Sequence, residues 1–230
     1  MKTIGLLGGM SWESTAIYYR LANEFVRERL GGLHSARIVM HSVDFAEIEK
    51  LQFAGDWDAA GEILAEAALG LELAGAELIV LCTNTMHLVA PAIEAAVSVP
   101  FLHLADTTAD AVKAAGLTKV GLLGTIFTME QDFYRDRLAS NGLEVIVPDS
   151  GDRELVSKVI YDELCLGIVT DESRSAYLEV IAKLVADGAD GIILGCTEIE
   201  MLVDDTHTDV PLFATTRLHV LAAVDASLAS

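Results

Sequence analysis

Three segments of this chain occur twice, in the same order and at nearly constant spacing. Ile4-Gly5-Leu6-Leu7-Gly8-Gly9 returns as Val120-Gly121-Leu122-Leu123-Gly124-Thr125, 116 residues later. The stretch from Ala74 to Leu81 returns from Asp187 to Leu194 at an offset of 113, and Val99-Pro100-Phe101 returns as Val210-Pro211-Leu212 at 111. Apolar strands often match by chance, but three matches in order with so little drift mark a duplication. The chain is expected to be two homologous halves, 1–105 with 212–230 and 106–211, with the functional site between them.

Each half reads as alternating strands and helices. Thr3–Leu7, Arg37–His41, Leu78–Leu81, Phe101–Leu104, Val120–Leu123, Glu144–Val147, Gly191–Leu194 and Leu212–Phe213 are continuously apolar runs. That is the pattern of parallel strands covered on both faces. Helical patterns lie between them at Glu13–Leu30, after Asp56, and at Thr128–Ala139, Asp152–Leu166, Glu172–Ala186 and Thr215–Leu228. Regular alternation of the two predicts an α/β fold: two similar doubly wound parallel-sheet domains related by pseudo-two-fold symmetry.

Composition removes several function classes. The chain has 230 residues, 52% of them hydrophobic, and a formal charge of −20. With no basic face to meet phosphates, nucleic acid is not an expected partner. The most apolar helical stretch, Ile63 to Leu81, carries Glu66, Glu72 and Glu77, so no membrane span is expected, and no signal peptide is legible after Met1-Lys2. Cys82, Cys165 and Cys196 form neither a closed disulfide set nor a zinc pattern. They read as thiols of a reducing, cytoplasmic compartment. The histidines have no ligand spacing, Gly-Leu-Leu-Gly-Gly is not the dinucleotide fingerprint, and no lysine sits at a strand end, so neither a metal nor a cofactor is expected.

The chemistry concentrates at two strand ends. At the offset of 113, Thr83 in Cys82-Thr83-Asn84-Thr85 corresponds to Cys196 in Gly195-Cys196-Thr197-Glu198. In open parallel sheets ligands bind at the carboxyl ends of strands, where both turns fall. A cysteine that opens a helix there is an acid/base or nucleophile candidate, its thiolate favoured by the helix N-terminus. Cys82, the last apolar residue of its strand, and Cys165, in an apolar helical stripe, read as packing residues.

Gly8-Gly9-Met10, Asn84-Thr85-Met86-His87 and Gly195-Cys196-Thr197-Glu198-Ile199 together resemble the aspartate/glutamate racemase family, in order and along the whole chain. Glu198 resembles the aspartate branch, whereas glutamate racemases usually have His there. The resemblance implies a racemase that works without pyridoxal phosphate or any other cofactor, on a small amino-acid substrate, and a homodimer. Two opposed groups would act on the α-carbon, Cys196 being one. Asn84, Thr85, Thr197 and Glu198 would contact substrate. Met10, Ser11 and Thr125 would line the site, with Gln52 and Thr128 as further contacts.

Two departures from the family pattern stand out. Thr83 occupies the place of the usual second cysteine, so its hydroxyl serves the second face unless Cys82 does, and Cys82 points to the other side of its strand. The cations that grip the side-chain carboxylate in aspartate racemases are missing near Ile48 and Cys165, with Lys50, Arg153, Lys158 and Arg217 as nearby substitutes. A broader amino-acid range follows. The missing thiol also leaves open a one-cysteine decarboxylase or a cis–trans isomerase of a small dicarboxylic acid, and a non-catalytic binder of small acids.

Overall fold

A computed structural model of the chain describes residues 1–229 as two compact units. The first comprises Met1–Leu104 and the segment from His219 onward, and the second Ala105–Leu218.

In the first unit the elements run β1 (Ile4–Gly8), α1 (Trp12–Leu30), β2 (Ile38–Ser42), α2 (Phe45–Ala54), α3 (Trp57–Leu73) and β3 (Leu78–Leu81). A 3-10 turn (Thr85–Val89), α4 (Ala90–Ala96) and β4 (Phe101–Leu102) follow. The sheet order is β2-β1-β3-β4, all parallel. Side chains of β3 alternate between two cores, as the period of a strand demands. Ile79 and Leu81 pack with Leu64, Ala67 and Leu71 of α3. Leu78, Val80 and Cys82 pack with Tyr18, Phe25 and Val26 of α1 and with Val220 and Val224 near the C-terminus.

The second unit begins inside α5 (Leu104–Ala114). Next come β5 (Lys119–Gly124), α6 (Ile126–Glu130), α7 (Asp132–Ser140), β6 (Glu144–Ile146) and α8 (Ser150–Asp162). After a 3-10 turn (Leu164–Leu166) come α9 (Asp171–Ala186), β7 (Gly191–Gly195), a second 3-10 turn (Thr197–Met201), β8 (Leu212–Ala214) and α10 (Thr215–Leu228). Its sheet order, β6-β5-β7-β8, is that of the first unit. The register also repeats: Leu7 pairs Leu81 as Leu123 pairs Leu194. The offsets of 116 and 113 found in the sequence therefore superpose the two pairings residue for residue.

All eight expected strands are present, each within three residues of its expected ends, and the α/β architecture holds. Several helical details differ. The expected helix Thr128–Ala139 is two helices, because Gln131 is extended (φ −80°, ψ 146°). The expected Asp152–Leu166 closes at Asp162, so Cys165 lies in a short 3-10 turn rather than on a helix stripe. Helix α2, capped by the Asp44 carboxylate on the Ala46 N–H, has no counterpart among the expected helices. It is only ten residues long, too short for its apolar positions to mark a helical stripe, and only Ile48 and Gln52 are buried. The expected boundary at residue 212 also moves. Strand β8 hydrogen-bonds to β7 of the second sheet, so the chain re-enters the first unit at His219, inside α10. No helix among the described residues is long and apolar enough to cross a membrane.

Candidate functional site

In each unit the strand order reverses between its first and third strands, and that crevice at the carboxyl ends is where a doubly wound sheet accommodates ligands. The chain supplies Gly8-Gly9-Met10 and Thr83-Asn84-Thr85 at the crevice of the first unit. It supplies Gly124-Thr125 and Cys196-Thr197-Glu198 at that of the second.

The turn after β1 is held by Thr15. Its hydroxyl accepts from the Gly9 N–H at 2.8 Å and donates to the Ser11 carbonyl at 2.9 Å. Gly8 has no room for a side chain, since a Cβ would lie 2.3 Å from Thr15 Cγ2. Ser11 caps α1, its hydroxyl accepting from Ser14 N at 3.2 Å. Thr125 does the same after β5, accepting from Thr128 N at 3.3 Å with its hydroxyl 3.2 Å from that of Thr128. Each first strand thus delivers the chain into a capped helix N-terminus, where free N–H groups favour an anion. Met10 packs its side chain into the core with Leu7 and Met86, so only its backbone is placed at the turn.

After β3, Thr83, Asn84 and Thr85 are all buried. Cys82 belongs to the core with Leu78 and Val80, and burial drives its thiol far above the ordinary range. Thr83 continues the other phase of the strand, that of Ile79 and Leu81. The turn is pinned by His87, whose Nδ1 lies 2.7 Å from the Thr83 carbonyl and whose Nε2 accepts from Leu104 N at 3.2 Å. Gln52 reaches in from α2, its Nε2 2.9 Å from Met86 Sδ, and its buried Oε1 has no partner among the described residues.

After β7, Cys196 follows the phase of Ile192 and Leu194 into the core of its unit. Its Sγ donates to Glu198 Oε2 at 2.9 Å. The expectation of a stabilised thiolate is overturned: the pKa is raised well above the usual thiol value, first by burial and then by the adjacent Glu198 carboxylate. The five-residue 3-10 turn that starts here is too short to offset both. Thr197 is set by Thr216, which donates to its hydroxyl at 3.1 Å, while Thr215 donates to the Leu194 carbonyl at 2.9 Å.

Of the substitute cations, Arg153 is engaged with Glu130 at 3.0 Å and with the Pro148 carbonyl. Lys50, Lys158 and Arg217 are exposed. Ile48 is buried in the core of the first unit and Cys165 packs against the core of the second, so both places where a family cation would stand are apolar. Among the described residues no group of three or more His, Cys, Asp or Glu side chains is arranged to hold a metal.

His87 stood in a motif of the sequence, but its spacing gave no hint of Thr15, Thr216 or the meeting of His87 with His103 and His219 in one buried cluster. Ring centroids of His87 and His103 are 4.6 Å apart, and His219 lies 5.8 Å from His87. These partners are separated by up to 132 positions in the chain, beyond any local pattern.

Comparison with known proteins identifies the family and the fold. The family model described as Asp/Glu/Hydantoin racemase matches residues 7–223. The chain is similar to a candidate Asp/Glu racemase of Yersinia pestis, with 57% identity, full coverage of both chains and a TM-score of 0.94. An aspartate racemase homologue of Pyrococcus horikoshii is 34% identical over 99% of each chain, at a TM-score of 0.87. The broad specificity amino-acid racemase RacX of Bacillus subtilis is 24% identical over 91% of each chain.

Proposed function

The chain belongs to the Asp/Glu/Hydantoin racemase family, and from that premise we propose that it is an amino-acid racemase in which Cys196 and Thr83 serve opposite faces of the α-carbon. One observation carries this reading: each residue lies two positions past an equivalently paired leucine, Leu81 or Leu194, at the same switch point of two units with the same strand order.

The chemistry follows from the groups. Cys196 passes its proton to Glu198 Oε2, 2.9 Å away, and the thiolate takes the α-proton from one face of the substrate. The α-carbon flattens and its charge spreads onto the α-carboxylate. A proton from the Thr83 hydroxyl returns to the opposite face. Water reprotonates Thr83, and the hydroxide so formed takes the proton held by Glu198, which restores the carboxylate beside the Cys196 thiol. In the other direction each transfer reverses. With a net charge of −20, the α-carboxylate depends on local donors. The N–H groups of the Asn84-Thr85 and Thr197 turns and the capped helices at Ser11 and Thr125 supply them. Gln52 Oε1, buried and without a partner among the described residues, is an acceptor for the substrate ammonium group.

Substrate range follows from the apolar character of Ile48 and Cys165. With no cation at either place, an acidic side chain has no fixed counter-charge, and uncharged amino acids fit as well. The broad specificity in the name of the Bacillus subtilis relative is consistent with this.

Incubation with a panel of L- and D-amino acids in deuterium oxide tests the proposal. Label should enter the α-carbon and enantiomers should interconvert. Replacing Thr83 by Ala should suppress inversion, while the enantiomer served by Cys196 still exchanges its α-hydrogen, and Thr83→Cys should retain or raise inversion. No label uptake from any amino acid would overturn the reading, and carbon dioxide release from a dicarboxylic acid would replace it with decarboxylation.

A further inference from the structure

His87 stands in a fixed protonation state that its partners dictate. A backbone N–H only donates, so the Leu104 N–H at 3.2 Å requires Nε2 to be bare. The proton of the neutral ring is then on Nδ1, and it is donated to the Thr83 carbonyl at 2.7 Å. A charged ring, with protons on both nitrogens, would set Nε2–H against Leu104 N–H. The surroundings enforce neutrality too. The ring is buried, it packs against His103 and His219, and Phe101 completes its edge at 5.7 Å. His219 is spoken for in the same way, with Nε2–H given to the Leu102 carbonyl at 2.8 Å and Nδ1 beside the Tyr18 hydroxyl at 3.1 Å.

We propose that His87 is the positioning residue for Thr83, its Nδ1–H holding the carbonyl of that residue while its Nε2 anchors the ring to the start of α5. This rests on the reading of Thr83 as the group for the second face. A threonine hydroxyl is a weak acid, so it contributes only when it sits at the right distance and angle from the α-carbon. The residue most sensitive to placement is therefore the one clamped by its own backbone. Cys196 is held differently: its carbonyl accepts from the Ile199 N–H of its own turn at 3.2 Å, and its Sγ is held by Glu198, neither bond involving His87. Disturbing His87 should thus slow one face and spare the other.

Two substitutions separate the two ends of the clamp. In His87→Asn the amide nitrogen takes the place of Nδ1 and still donates to Thr83, while the link to Leu104 is lost. In His87→Gln the amide oxygen takes the place of Nε2 and still accepts from Leu104, while the link to Thr83 is lost. Purified full-length variants would be assayed for inversion and α-hydrogen exchange in deuterium oxide, with thermal melting as the check on folding. We expect His87→Gln to lose inversion by about 10²-fold in kcat, with KM little changed and exchange of the Cys196-side enantiomer retained. His87→Asn should stay within several-fold of the unmodified chain. Equal losses in the two variants, or exchange and inversion falling together, would overturn the proposal. Unchanged inversion in Thr83→Ala, run alongside, would instead overturn the reading of Thr83 itself. Should His87→Gln fail to fold, nitrogen-15 spectra of the histidines in the unmodified protein decide the matter. The clamp requires one neutral ring with Nδ1 protonated and Nε2 bare that does not titrate in the folded range. A ring protonated on Nε2, or one that titrates near neutrality, refutes it.

Discussion

The thiol of Cys196 donates to the carboxylate of Glu198, two residues ahead, across 2.9 Å. The pair holds the sulfur protonated and places a proton acceptor against it, so thiol and carboxylate act as one unit. Replacing Cys196 by Ala should lower kcat/KM by about 10²–10⁴-fold, the usual contribution of a positioned acid/base group. Glu198→Gln keeps a hydrogen-bond acceptor but removes both the base that takes the thiol proton and the charge that raises the thiol. The cysteine limb of the pH profile should then move to lower pH, as read from kcat/KM and from thiolate absorbance.

Glu200, two residues beyond Glu198 in the same turn, is a carboxyl pushed up to about 7 by burial, with Glu198 adding to the shift and Thr216 N–H and Arg217 opposing it. Its Oε1 has no hydrogen-bond partner among the described residues. The folded state therefore holds a proton that the unfolded chain releases at about 4.5. Stability from this group is present below that value and is lost as pH rises through about 7, by at most about 3 kcal/mol. Glu200→Gln should gain stability relative to the unmodified chain between pH 5 and 8, measured by denaturant midpoints.

His219 has the opposite sign. Burial lowers its pKa to about 4, while the unfolded ring titrates near 6.5. Between those values the unfolded chain binds a proton that the folded one refuses. Stability is complete above the unfolded value and falls as pH drops toward about 4. His219→Gln should flatten that acid-side decline in chemical denaturation while lowering stability at neutral pH, because the contacts to Tyr18 and to the Leu102 carbonyl are disturbed.

The two halves should differ in their tolerance at the equivalent glycines Gly8 and Gly124. A Cβ at Gly8 meets Thr15 at 2.3 and 2.5 Å, and Thr15 is tied to the turn by two hydrogen bonds. At Gly124 the nearest atoms are 3.0 Å away or more. Gly8→Ala should cost about 1–3 kcal/mol and Gly124→Ala less, as read from urea midpoints.

The duplication, the eight strands and the turns at Thr83 and Cys196 were legible in the chain because they rest on local matters. An apolar run, a glycine at a strand end and a capping side chain act within a few residues, and two copies of one pattern must fold into two copies of one sheet. Tertiary structure decided the rest. The protonation of Cys196 depends on how deeply the sulfur is buried and on a carboxylate rotamer, not on its place before a turn. The clamp on Thr83 depends on His87 meeting Leu104, 17 positions away, and on His219, 132 positions away. Helix α2, too short to show a periodic stripe, is held where Gln52 meets Met86. Burial and through-space partners set charge and position, and both come into being only when distant segments pack.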